Sequence, residues 1–197
     1  MKNFLLPRIV FCTTIFLLIT TLAFAESQEA RRIAILPTIN ESAFKSTEAE
    51  ASCDAALYES LRIPLNSVLK RHEYISKDNI ITALPELNQP IKRHSLSAYR
   101  LREAAETLNA DLIVGFIITD AEEIRHFNWD GDMVLYSYTQ LRLIGYDRRS
   151  DSIIKLSRRE FYNDYDAPQG QVEVLIANAA DYLLKKADFK KSIFPIK

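Results

Sequence analysis

Glycine is scarce in this chain, with 4 in 197 residues. That leaves little material for a backbone cradle around phosphate, and neither a phosphate-loop motif nor a Gly-x-Ser-x-Gly elbow occurs. Cysteine is almost absent: Cys12 lies in an apolar leader and Cys53 far beyond it. A disulfide framework and a cysteine zinc site are thereby excluded. The 3 histidines, His72, His94 and His126, lack ligating neighbours at helical spacing, so no metal is expected. Asp130-Gly131-Asp132 lacks the further acidic positions of a calcium loop and reads as a hairpin turn. A basic excess is also missing. Without Lys2 and Arg8 the chain carries 23 basic and 26 acidic residues, a net charge of −3, which argues against a nucleic-acid partner.

The first 25 residues look like an export signal. Lys2 and Arg8 precede an apolar run from Ile9 to Leu22, which closes on Ala23-Phe24-Ala25, the small-x-small pattern of a signal-peptidase site. Cleavage after Ala25 is expected. The alternative is an uncleaved anchor, but the run is shorter than the roughly 20 apolar residues of a membrane span and holds four threonines. No cysteine stands at the cleavage point, so no lipid anchor is expected. The product would be secreted or periplasmic, a single α/β domain over residues 26–197. Its one remaining thiol, Cys53, is expected to be buried, with pairing between chains as the alternative.

Residues 31–37 form an apolar run closed by Pro37, a buried first strand. Thr47 stands three residues before Glu50, a capping-box spacing, and predicts a helix to about Arg62. Pro64 interrupts it, and Leu65, Val68 and Leu69 continue an apolar face. A strand at 73–76 and a short helix at 78–84, capped by Asp78, follow. Ser95 or Ser97 opens an amphipathic helix on Leu101, Ala104, Ala105 and Leu108, ended by Asn109. Leu112 to Ile118 is a continuous apolar run, the mark of a central strand covered on both faces. Long strands at 133–146 and 152–162 complete an antiparallel meander. A last helix, 169–187, buries Val172, Leu175, Ile176, Ala179 and Leu183, with Lys185, Lys186, Lys190 and Lys191 suiting its negative end. The expected fold is a mixed sheet with helices mainly on one face and a three-stranded antiparallel meander.

Three phrases carry a family resemblance. They are Arg32-Ile33-Ala34-Ile35-Leu36-Pro37, Leu108-Asn109-Ala110-Asp111 running into Leu112-Ile113-Val114-Gly115, and Leu141-Arg142-Leu143-Ile144-Gly145-Tyr146-Asp147. With the element order, they resemble a group of cell-envelope domains. The group includes the N-terminal domain of TolB, the curli-secretion lipoprotein and the outer-membrane lipoprotein that activates penicillin-binding proteins. The resemblance implies a non-enzymatic envelope module that binds another protein, without a cofactor.

The contact surface is sought on the long strand. One side presents Val134, Tyr136, Tyr138, Gln140, Arg142, Ile144 and Tyr146; the other, with Met133, Leu135, Leu141 and Leu143, suits packing under helices. Tyr and Arg are frequent in binding hot spots, so Tyr136, Tyr138, Arg142 and Tyr146 are candidate contacts, with Trp129 at the hairpin tip. The expected partner is another envelope protein, and self-assembly through the sheet edge or Cys53 is the structural alternative. The other readings are a hydrolase without a recognisable motif and a carrier of a small apolar ligand. The charged cluster Glu122, Glu123, Arg125 and His126 reads as a solvated strand face or a protected edge.

Overall fold

The computed structural model describes residues 30–63, 66–88 and 96–189. The proposed signal, Pro64, Leu65, His94, Lys190 and Lys191 lie outside the described residues.

The chain opens with strand β1 (Arg31–Ile35), and a two-residue strand, β2 (Ile39–Asn40), follows Pro37. Helix α1 (Thr47–Leu61) comes next, then a turn of helix, α2 (Asn66–Leu69), and strand β3 (His72–Tyr74). Helices α3 (Lys77–Ala83) and α4 (Ala98–Thr107) lead to three long strands: β4 (Leu112–Phe127), β5 (Met133–Asp147) and β6 (Ser152–Tyr165). Helix α5 (Val172–Ala187) ends the described chain.

The sheet runs β3-β1-β4-β5-β6, with β2 extending the parallel side of β4. Pairing is parallel from β3 to β4 and antiparallel from β4 to β6. The expected mixed sheet with its terminal meander is therefore present. The two parallel crossovers leave β1 and β3 in opposite directions. Right-handed connections then require them to use opposite faces. Helix α1 crosses on one face, where α5 joins it, and the shorter α3 and α4 cross on the other.

Alternate residues along β1 and β4 divide between two cores. Ile33, Val114, Phe116 and Ile118 pack under α1 and α5, while Ala34, Ile113 and Ile117 pack under α3 and α4. The apolar run of β4 is thus covered on both sides, as its lack of alternation implies. The two long helices share one face, and the shorter pair covers only the parallel end of the other.

Several local readings shift. Ser46, not Thr47, caps α1, accepting from the Ala49 amide. Glu50 accepts from Asn40 Nδ2 at 3.0 Å instead of closing a capping box. Ser76 rather than Asp78 caps α3, and Ser97 caps α4. Val68 is exposed, so the apolar face expected after Pro64 does not continue through it. Asn109 takes a left-handed conformation (φ 47°) at the end of α4, as expected. Cys53 is buried beside Leu57 and Leu61.

Candidate contact surface

The three long strands run past the parallel part of the sheet. Beyond Ile118, β4 pairs only with β5, and a bulge at Thr119 resets which residues face each side. Thr119 Oγ1 donates to the Gln140 carbonyl at 3.0 Å and closes the bulge. The result is a three-stranded arm, Asp120–Phe127 with its partners on β5 and β6, ending in the Asn128–Asp132 turn. Asn128 Oδ1 accepts from the amides of Asp130 and Asp132, and Gly131 supplies a φ of 88°.

One face of the arm is sealed. Leu135, Ser137 and Thr139 are fully buried there. Gly170 lies against the Tyr162 ring, where even a Cβ would come within 2.3 Å. Glu123 accepts from the Val172 amide at 2.9 Å, so it caps the start of α5. Arg125 bridges Glu123 and Asp166. This part of the charged cluster is structural, while Glu122 and His126 are solvated.

Among the described residues no helix lies over the opposite face. Register places Ile124 beside Tyr136, Glu122 beside Tyr138 and Phe161, and His126 beside Val134 and Tyr165. Phe161 is 58% exposed and Tyr165 61%. Tyr136 and Phe161 meet edge to face at 5.4 Å. Gln140 Oε1 accepts from Tyr138 Oη and from Arg159 Nε. Trp129 is fully exposed at the tip.

Trp129, Tyr136, Tyr138 and Arg142 therefore share an accessible face or its tip. Tyr146 does not. It points to the same side of β5, but α4 covers that end and buries it. Its hydroxyl donates to Asp151 at 2.9 Å, and the Arg102 guanidinium sits 5.3 Å from the ring centroid. Tyr146 is thus a latch between α4 and the β5–β6 turn, and is withdrawn from the accessible set. Ile124, Phe161 and Tyr165 complete the face. Sequence reading missed them because they come from neighbouring strands, and only the register brings them together.

Burial, helped by the Asp54 and Glu50 carboxylates, pushes the Cys53 thiol up to about 12, so it stays protonated and unreactive at neutral pH. A recess of about 280 Å³ lies at the ends of β1 and β3, but Asp54 and Lys77 line it beside Ile35, Leu36, Tyr58 and Tyr74. A larger one, about 590 Å³ between α1 and α5, is lined by Glu59, Asp181, Lys185 and Asp188. Neither is the closed apolar cavity that a carrier needs.

At the far end of the sheet, Arg31 pairs with Asp147 at 2.7 Å, both buried. His72 is buried nearby, its Nδ1 without a hydrogen-bond partner among the described residues. Burial, then the Arg31 and Arg149 charges, lower its pKa from the ordinary 6.5. The unfolded chain therefore takes up a proton near pH 6.5 that the folded chain refuses, and stability falls as pH drops below that value. Burial pushes the Asp111 carboxyl up, but the Arg32 amide and the Arg149 and Arg148 guanidinium groups outweigh it and hold it below the usual range. Asp111 thus acts only in stronger acid. A His72→Gln variant is expected to lose the slope of melting temperature against pH just below 6.5. An unchanged slope by calorimetry would assign the effect elsewhere.

The fold and this face define a class: a mixed α/β domain whose antiparallel arm carries an aromatic surface that no described helix covers. Solved structures similar to the chain include lipoprotein GNA1162 from Neisseria meningitidis, at 14% identity, 79% of this chain and 99% of that one, TM-score 0.40. The PelC dodecamer from Paraburkholderia phytofirmans is similar at 12% identity, 79% and 85% coverage, TM-score 0.39. So is the LpoB C-terminal domain from Escherichia coli, at 12% identity, 68% and 82% coverage, TM-score 0.36. A lipoprotein is thus among the solved structures similar to the chain. No protein-family model and no curated protein matches the chain. Among the described residues no helix is long and apolar enough to cross a membrane.

Proposed function

We propose that the chain is exported and works in the cell envelope as a non-enzymatic module that binds protein through its antiparallel arm. One observation carries this reading. Among the described residues nothing covers one face of the long three-stranded arm, yet it bears exposed Ile124, Phe161 and Tyr165 beside half-buried Tyr136 and Tyr138, with Trp129 at the tip. Exposed aromatic residues in a contiguous patch are costly to leave in water and mark contact surfaces. Export is supported by the basic start, apolar run and Ala-x-Ala ending of the first 25 residues.

A Trp129→Ala/Tyr138→Ala double variant is expected to keep its melting temperature within a few degrees, because neither side chain belongs to a core cluster. Crosslinking in intact cells should then lose the protein adducts that the parent chain forms. Unchanged adducts would remove the arm as the contact surface. N-terminal mass spectrometry of the exported fraction should find a chain beginning at Glu26. An intact Met1 confined to the cytosol would overturn the envelope assignment.

A further inference from the structure

We propose that the bare face of the arm is covered by the same face of a second copy, with the strands of the two stacked sheets running in opposite directions about a two-fold axis that crosses them. This rests on reading the arm as a protein-contact surface, and it names the occupant.

Shape selects the direction. Helices α3 and α4 stand on this face only as far as Ile117 and Ile144. A second copy with parallel strands would bring its own α3 and α4 against them and hold the sheets apart. Turned end for end, each arm lies in the step beside the other copy's helices. The sheets can then approach to the roughly 10 Å of ordinary face-to-face packing.

Charge fixes the register. With the axis between the Tyr136 and Tyr138 rows, Tyr136 meets Tyr138 of the second copy. On β5 the same operation sets Arg142 opposite Asp132, the residue just before the strand, with Asp130 and Trp129 beyond it in the turn. On β4 it sets His126 opposite Asp120, and on β6 Tyr165 opposite Arg159, a cation over a ring face. Each pairing occurs twice, and none opposes like charges. Within one copy, Arg142, Asp120 and Asp132 make no ion pair with another described residue. A symmetric interface of this kind is self-complementary, with residue i meeting j and j meeting i.

The test uses the chain purified from the fraction where it accumulates. The parent chain should sediment as a dimer at about 100 µM, a concentration that detects even weak pairing. Arg142→Asp alone, and Asp130→Arg with Asp132→Arg alone, should each weaken self-association by more than about tenfold. Their equimolar mixture should dimerise again, because each altered charge then faces its complement. Circular dichroism checks that both variants fold. A monomeric parent, variants that stay dimeric, or a mixture that stays monomeric overturns the proposal. A photo-crosslinking amino acid at position 161, used in cells, separates it from the broader reading. An adduct of the chain with itself supports both. An adduct only with another protein overturns self-pairing and leaves the arm a contact surface. No protein adduct overturns both.

Discussion

Gly145→Ala is expected to lower the stability of the protein by about 2–3 kcal/mol, a large loss for a single methyl group. Gly145 sits in the middle of the sheet, opposite Val114. A Cβ there would stand 2.6 Å from the Ile113 carbonyl oxygen and 3.2 Å from Val114 Cβ. The first contact is with backbone that is itself held in the β4 ladder, so no flexible side chain can swing away. Relief requires β4 and β5 to part, in the region where both cores meet the sheet. Gly131→Ala separates this from a simple loss of backbone freedom. Gly131 has φ 88° and open space around it, so alanine there pays only conformational strain, about 1 kcal/mol. Denaturant unfolding should show a lower midpoint for Gly145→Ala with little change in m-value. Equal losses for the two variants would show that crowding at Gly145 is relieved more cheaply than the geometry implies.

Periodicity made the long elements legible. The alternation on β5 assigns Leu135, Leu141 and Leu143 to the sealed side, and all three are buried. The stripe of α5 is buried at every expected position. Helix starts were less legible, because Ser46 and Thr47, or Ser76 and Asp78, are adjacent polar residues that can each cap. Loop geometry decides between them, and Glu50 is drawn away by Asn40 from the far side of the loop. The two-residue β2 has no periodicity to read. At the contact surface the side of β5 was legible but its cover was not. Tyr136, Tyr138 and Tyr146 alternate correctly onto one side, yet whether α4 reaches over Tyr146 depends on where the crossover helix lands. Phe161 and Tyr165 lie in a strand whose offset against β5 is set by the Arg148–Asp151 turn, in which Asp151 adopts a φ of 47°. Without that register nothing joins them to Tyr138 and Val134.

The same substitution at two phenylalanines should give opposite results, and the contrast bears on function. Phe116 is 1% exposed, on β4 between the sheet and helices α1 and α5. Phe116→Ala removes a large buried ring from a core that cannot collapse around a hydrogen-bonded strand. The expected cost is about 3–5 kcal/mol. For a domain of this size each kcal/mol shifts the melting temperature by roughly 2–4 °C, so a fall of about 6–20 °C should be seen by calorimetry. Phe161 has the same side chain two strands away, but 58% of it is in water and its one described ring contact is with Tyr136. Phe161→Ala should cost no more than about 1 kcal/mol, the worth of an edge-to-face pair on a surface. A ring that contributes so little to folding yet stands in solvent beside Tyr138 and Tyr165 has its apolar surface available for another protein. Losses of similar size at both positions would mean that the arm's bare face is held by structure within the chain, and that its aromatic residues serve the fold.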